Sequence, residues 1–428
     1  RGLPEERIAL MAAPLHRWLE PQLKALLNER RIVLLEGARQ SGKTTLIKGL
    51  QSANCVYRTL DDPALLAAAQ SDPLGFIRHG DELLLIDEVQ RAPALLPAIK
   101  LDVDENQKPG RFLLTGSAHI HALPAVQESL AGRAGKLRLR TLAQGEQQGS
   151  ASTLLTACFS GELTVYGHAL QSRAKSIGKD DYLRLALRGG YPEALQLNSE
   201  RANRAWYRDY LALLLARDLR DVINIRRQDV MQKLLVVLAA WSSRYMDVVK
   251  IGTGLALQRP ALESYINALE ILYLVERVPA WSNTEYERVG KRDKLFMSDT
   301  GLMTALLRWD FDQVRFNGEA NGKLLETWVF TQLAALLDIQ PEPCKLYHYR
   351  DREQRELDFV VENAQGALLG IEVKAGSAVD SDSFKHLRWF KANMARDTAY
   401  TGIVLYTGEH VLSFGEGMWA VPMCGLWN

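Results

Sequence analysis

Cysteine is scarce and scattered in this chain. Cys55, Cys158, Cys344 and Cys424 are the four in 428 residues, and no two have the close paired spacing of a zinc ligand set or a disulfide framework. They read as ordinary core thiols. Long apolar runs are also missing: none approaches the roughly 18 to 20 residues needed to cross a bilayer, so no membrane anchor is expected. The N-terminal stretch RGLPEERIALMAAPLHRWLEPQLKALL mixes charge into its apolar positions and lacks the apolar core of a secretory signal, which makes the cytoplasm the expected compartment. There is no excess of either charge: 52 Lys and Arg stand against 51 Asp and Glu, a formal +1, so any nucleic-acid site must be a local basic patch. Repeats and low-complexity tracts are absent, and linkers must be inferred from changes of pattern.

What is present is the composition of a globular protein, 47% hydrophobic and 24% charged, in a chain long enough for several cores. The run RIVLLEGARQSGKTTLIKGL reads as strand, glycine loop and helix. Its loop, Gly37, Ala38, Arg39, Gln40, Ser41, Gly42, Lys43, Thr44, fits G-x-x-x-x-G-K-[ST], and Thr45 follows. Glycines there let backbone N–H groups curl around phosphate oxygens at a helix N-terminus; Lys43 would reach the β- and γ-phosphates of ATP, and Thr44 would hold Mg²⁺.

A second apolar run, ELLLIDEVQR, delivers Asp87 and Glu88 at its end, as a buried parallel strand should. Asp87 would bind Mg²⁺ through water and Glu88 would polarise the attacking water. A third strand, RFLLTGSAHI, carries Thr115 and Ser117 toward the same edge, either as γ-phosphate sensors or as turn formers. Arg133, just before another expected strand, is placed either to reach a neighbouring subunit's γ-phosphate or on the surface.

These stretches, GARQSGKTTL, LLLIDEVQR, FLLTGSAHI and LAGR, resemble a prokaryotic AAA+ superfamily ATPase of a group with a C-terminal domain of uncharacterised function. The resemblance continues through LRGGYPEAL, YLALLLARDLRDV, LFMSDTGL and ELDFVV…IEVK. It implies nucleotide-driven conformational change and a homo-oligomer, with a hexameric ring as one form. It does not by itself supply a substrate.

The expected organisation is α/β, with an ATPase core over 1–150, a helical lid or connector over 151–228, a winged helix over 229–318 and a nuclease-like domain over 319–428. Arg188, Arg217 and Arg220 are candidates for a second phosphate sensor in the lid, or for ion pairs on helix surfaces. From Asp229 the pattern becomes three helices and a hairpin, resembling a winged helix-turn-helix. Its expected DNA contacts are Arg259 at the start of the third helix and Arg288, Lys291, Arg292 and Lys294 on the wing, where clustered charge suits phosphates.

In the C-terminal quarter, NGKLLETWVFTQLAALL is an amphipathic helix with Glu326 among apolar residues. Two strands follow, carrying Asp358 and then Glu372 and Lys374. Carboxylates gathered this way can bind a hard cation such as Mg²⁺, and an adjacent lysine can activate water. The order helix, strand, turn, strand with E-x-K, helix is similar to the PD-(D/E)XK nuclease fold. That resemblance implies metal positions at Glu326, Asp358 and Glu372 and a catalytic lysine at Lys374, with Leu357 in place of the motif's proline. Two functions stay open: an ATP-driven machine that binds and processes DNA, or a nucleotide switch on protein partners in which the nuclease-like domain is only a platform.

Overall fold

The structure is a computed structural model, described here for residues 15–50, 54–116, 130–222, 228–284 and 291–428. Ser117 and Arg288 lie outside the described residues, as do the side chains of Arg217 and Arg220.

Five short strands make the first sheet: β1 (Ile32–Glu36), β2 (Cys55–Thr59), β3 (Leu83–Asp87), β4 (Phe112–Gly116) and β5 (Ala134–Arg138). Every pairing among them is parallel, in the order β2-β3-β4-β1-β5. The central strands β1 and β4 are buried along their whole length because both faces are covered, which is why their sequences are continuous apolar runs rather than alternating ones. One face packs on Leu95, Ile99 and Phe76, the other on Leu19, Leu23 and Ile47. The strand order places the loop after β1 between the ends of β4 and β5, and the end of β3 close by, so one sheet edge collects the polar residues.

A second unit joins helices Gln228–Trp241, Val248–Leu255 and Arg259–Ile271 to an antiparallel sheet, β6 (Arg244–Tyr245), β7 (Val275–Val278) and β8 (Lys294–Met297), in the order β6-β8-β7. Pro260 stands in the first turn of the third helix, where its missing N–H costs nothing. Helix Glu200–Val222 shares this unit's core through Tyr207, Leu211 and Leu214.

The third unit is a six-stranded mixed sheet: β9 (Lys345–Arg350), β10 (Glu356–Glu362), β11 (Leu368–Lys374), β12 (Tyr400–Tyr406), β13 (Leu412–Ser413) and β14 (Met418–Pro422). Their order is β13-β14-β12-β11-β10-β9. Strand period sorts the side chains: Phe359, Val361, Leu369 and Ile371 pack with Leu325 and Trp328 of helix Gly318–Asp338, whereas Val360, Leu368 and Val404 meet Leu387 and Phe390 of helix Lys385–Asn393. A register shift between Leu357 and Val360 breaks the alternation at Asp358, the kind of irregularity that re-aims a side chain.

The segment read from sequence as one lid divides its apolar residues between two cores. Leu154, Leu155, Tyr166 and Tyr182 pack with Trp328 and Trp427 of the C-terminal unit, while Tyr207 and Leu211 pack with the middle unit. Two sequence stretches quoted above meet here: the buried carboxylate of Asp299 accepts the N–H groups of Gly190 at 2.8 Å and Leu302 at 3.1 Å. A Cβ on Gly301 would lie 2.3 Å from the Tyr207 ring, so this contact requires glycine.

Candidate functional site

The loop after β1 takes its shape from two glycines. Gly37 has φ 150°, and a Cβ there would lie 2.2 Å from the carbonyl oxygen of Leu139; Gly42 has φ 99°. Gln40, between them, sits in the left-handed region at φ 60°. Lys43 begins helix Lys43–Gly49 and folds back, donating from Nζ to the carbonyls of Gly37 at 2.9 Å and Ala38 at 2.8 Å. Burial pushes its ammonium down to about 8, against the pull of Glu88 and Asp87. The Ser41 hydroxyl is fully buried with no hydrogen-bond partner.

Asp87, at the end of β3, collects the remaining polar groups. One oxygen accepts the Thr44 hydroxyl at 2.9 Å and the Tyr57 hydroxyl at 3.0 Å; the other accepts the Thr115 hydroxyl. Thr115 in turn accepts the backbone N–H of Glu88 at 3.1 Å. Glu88 itself has φ 60°, and its carboxylate accepts the Gln90 amide. A non-glycine residue in that region is worth notice, since such strain gathers at functional sites. The Thr44 hydroxyl and Asp87 carboxylate, two hard oxygen donors brought within 2.9 Å, are the donor chemistry Mg²⁺ requires.

A cavity of about 1520 Å³ opens beside the loop, lined by Gly42 and the exposed Thr45 on one side and by Arg184, Arg188 and Asn203 on the other. Arg188, one of the expected second sensors, therefore faces this space, with Nη2 donating to the Leu195 carbonyl at 2.7 Å. Arg133 does not enter the loop region; its guanidinium holds Asp104 at 2.6 and 2.8 Å.

Two contributors were missed in the sequence. Tyr57 lies in edge strand β2, thirty residues from Asp87 in the chain, and only the parallel pairing of β2 with β3 brings it near. Arg17 forms a buried pair with Glu146 at 2.9 Å and donates to the Ser41 carbonyl at 2.9 Å, bracing the loop from outside. Neither residue sits in a recognisable motif. The signal available was only that each is a hydrogen-bonding side chain within an apolar pattern.

The C-terminal candidates assemble in part. Asp358 accepts the Val373 N–H at 2.9 Å, beside Glu372, and Lys374 lies 3.5 Å from Glu372. Glu326 comes to the same place from helix Gly318–Asp338. Between Glu326 and Asp358 lies Lys294, paired with both and 3.1 Å from Asp358. This corrects the expected role of Lys294 as a phosphate contact: its side chain is only 4% exposed, and its charge is consumed by two carboxylates. Of the other expected DNA contacts, Arg259, Lys291 and Arg292 are exposed; Lys291 donates to Ser282 at 3.1 Å and Arg292 lies 3.7 Å from Asp247. With Lys294 in place the three carboxylates do not fit a divalent ion, because an ammonium already fills the space between two of them. Among the described residues no cluster of His, Cys, Asp and Glu has the arrangement of a metal centre.

A parallel five-stranded sheet, a phosphate loop closed by Lys43, and a strand-end Asp-Glu pair define an AAA-type P-loop ATPase. Consistent with that class, residues 29–148 match the profile of an AAA domain. Residues 179–313 and 321–426 match two domains of unknown function, DUF8612 and DUF4143. An uncharacterised protein of Mycobacterium tuberculosis and one of Mycobacterium bovis are each 30% identical over 424 residues, covering 98% of this chain and 86% of theirs. The chain belongs to the family of these mycobacterial proteins. Among solved structures, the Walker-type ATPase PABY2304 of Pyrococcus abyssi superposes with a TM-score of 0.41 at 15% identity, covering 67% of this chain and 94% of that one. The RuvB Holliday junction branch migration motor of Thermotoga maritima gives 0.25 at 16% identity, covering 63% and 93%. No helix among the described residues is long and apolar enough to cross a membrane.

Proposed function

We propose that this chain hydrolyses ATP at the β1 loop and uses the resulting conformational change to bind and remodel DNA, branched DNA included. The supporting observation is the convergence of Thr44, Tyr57 and Thr115 on Asp87, with Glu88 beside them. Lys43 exchanges the Gly37 and Ala38 carbonyls for phosphate oxygens, which restores the full charge that burial has weakened. The backbone of Gln40, Ser41 and Gly42 cradles the phosphates, and Thr45 with the cavity beside it takes the rest of the nucleotide. Mg²⁺ held by Thr44 and Asp87 would neutralise charge growing on the phosphate oxygens. Glu88 orients the attacking water, and Thr115 fixes the Glu88 backbone.

In this reading the chain works as a homo-oligomer, a hexameric ring being the simplest closed form, with Arg133 released from Asp104 to reach a neighbour's γ-phosphate. Residues 229–318 act as a winged helix whose Arg259, Arg288, Lys291 and Arg292 contact DNA backbone, and 319–428 act as a nuclease-like domain. The test is ATP turnover with linear, forked and four-way DNA: stimulation that falls steeply with salt supports the reading, and its absence on every DNA overturns the DNA part.

A second reading is a nucleotide switch acting on protein partners. It is favoured by the loss of Lys294 from the basic patch and by the near-neutral chain. Tightly retained ADP, slow turnover and no DNA binding would distinguish it.

A further inference from the structure

Helix Lys385–Asn393 buries Leu387 and Phe390 against Val360, Leu368 and Val404 of the last sheet. At about 100° per residue, the side turned away from that core carries, in angular order, Lys391, Arg388, Ala392, Lys385, Trp389 and Asn393. Each of these is exposed or half-buried. The face therefore presents three cations and an indole but no acid, and residues 385–396 as a whole hold four basic residues without one Asp or Glu.

These charges are not answered within the chain. Arg388 donates to the carbonyls of Ser381 at 2.8 Å and Phe414 at 3.2 Å and to the Ser381 hydroxyl at 3.0 Å, and Lys391 donates to the Glu416 carbonyl. Neutral acceptors orient a cation without cancelling its charge. Among the described residues, no carboxylate forms an ion pair with Lys385, Arg388 or Lys391. Of the two acids just before the helix, Asp380 is engaged as a cap, accepting the Ser383 N–H at 3.0 Å, and Asp382 is exposed in the turn. Lys385 also opens the helix, where the dipole favours an acid, and the first turn contains none. Local stability does not account for a cation at that position.

The face is continuous with the basic residues of the middle unit. The Trp389 ring lies 6.1 Å from that of Tyr349 on edge strand β9, and the Lys291 ammonium lies 5.9 Å over Tyr349. Arg355 covers Trp389 at 4.2 Å, its own charge answered by Asp351 at 3.0 Å. A path of cations and rings thus runs from Lys291 across β9 to the helix. Lys385, Arg388 and Lys391 follow at intervals of three, about 9 Å from first to last, which matches two or three phosphates of one DNA strand at roughly 3.4 Å each along the duplex. A membrane surface fits less well, because an interfacial helix inserts an apolar face and this one has Leu387 and Phe390 committed to its own core.

We propose that Lys385, Arg388 and Lys391 form a phosphate-contact surface on the C-terminal unit, so that duplex DNA held by the middle unit continues across β9 and along this helix. This rests on the reading of the chain as a DNA-binding protein and adds where on the C-terminal unit the DNA lies. The contacts are to the backbone and carry no sequence preference. They need neither a metal nor the buried carboxylates, so the C-terminal unit contributes grip whether or not it cuts.

The test is binding of a fluorescein-labelled DNA duplex to the full chain, read by anisotropy between about 50 and 200 mM salt. Replacing Lys385, Arg388 and Lys391 together by Gln should lower the slope of log affinity against log salt by about two to three and weaken binding about a hundredfold or more at 0.1 M salt. Arg388 also holds two loop carbonyls, so Lys385→Glu is the variant that spares the fold: its side chain has no hydrogen bond among the described residues. It should weaken binding by about tenfold or more with an unchanged melting temperature and unchanged ATP turnover in the absence of DNA, whereas Lys385→Arg should bind as wild type does. If wild type binds duplex and both charge-removing variants keep its affinity and slope, this surface is wrong and the DNA reading stands. If wild type binds no duplex, the DNA reading fails and the surface falls with it. Phosphatidylserine vesicles form the last arm: vesicle binding lost in Lys385→Glu with duplex binding intact would make the face a membrane contact and overturn the proposal.

Discussion

The guanidinium of Arg138 holds both carboxylate oxygens of Glu276, each at 2.8 Å. Arg138 ends β5 of the ATPase sheet and Glu276 lies in β7, so this fork joins the nucleotide-binding unit to the strand pair carrying Lys294. Arg140 extends it, donating to Glu276 at 2.7 Å and to Asp338 at 2.5 Å at the end of the long C-terminal helix. Burial opposes the Glu276 charge, yet Arg138 and Arg140 hold its carboxyl well below the usual range. Close by, the Tyr273 hydroxyl donates at 3.2 Å to Glu36, the residue just before the phosphate loop. A shift at the loop therefore has a polar route to both other units.

Glu276→Gln leaves two largely buried guanidiniums facing a neutral amide. Removing one partner of a buried ionic group costs about 3 kcal/mol or more. The expected outcome is a lower denaturant midpoint, measured by tryptophan fluorescence, together with altered ATP turnover. An unchanged midpoint would show that the fork contributes nothing to holding the units together.

At the phosphate loop, Lys43→Ala should abolish nucleotide binding, read by a fluorescent ATP analogue. Glu88→Gln should keep binding and slow phosphate release by about a hundredfold or more, the range for a lost general base. Normal turnover in Glu88→Gln would mean that another group activates the water.

Tyr57→Phe removes one donor to Asp87 and leaves the ring in place. Groups that orient a metal's ligands typically affect metal affinity by about tenfold or more. The Mg²⁺ concentration needed for half-maximal turnover should rise accordingly, with little change in fold. No change in the Mg²⁺ titration would make Tyr57 a packing residue only.

His348 supplies a pH dependence. Burial, aided by the charge on Lys294, lowers its imidazolium to about 3 from the ordinary 6.5. Between these values the unfolded chain binds a proton that the folded one does not, so stability should fall as pH drops through that window. The slope is about 1.4 kcal/mol per pH unit for one such proton. His348→Gln keeps a side-chain donor near the Arg292 carbonyl and should flatten the melting temperature against pH between about 6 and 4. Parallel curves for the two proteins would remove His348 as the source.

The sequence by itself determined whatever depends on neighbours in the chain. Gly37 to Thr44 forms a phosphate loop because its glycines and lysine act over eight consecutive residues, and Asp87 follows an apolar run that only a buried strand explains. The segments of β10 and β11 likewise read as two apolar strands, the first carrying Asp358 and the second Glu372 and Lys374. Tertiary structure decided what depends on residues distant in sequence. Tyr57 reaches Asp87 because two strands pair in parallel, and Arg17 braces the loop across more than a hundred residues from Glu146. Lys294 is the sharpest case: as one of several basic residues on a hairpin it reads as a surface charge. The folded chain takes that charge into another unit, because two buried carboxylates need a cation more than solvent does.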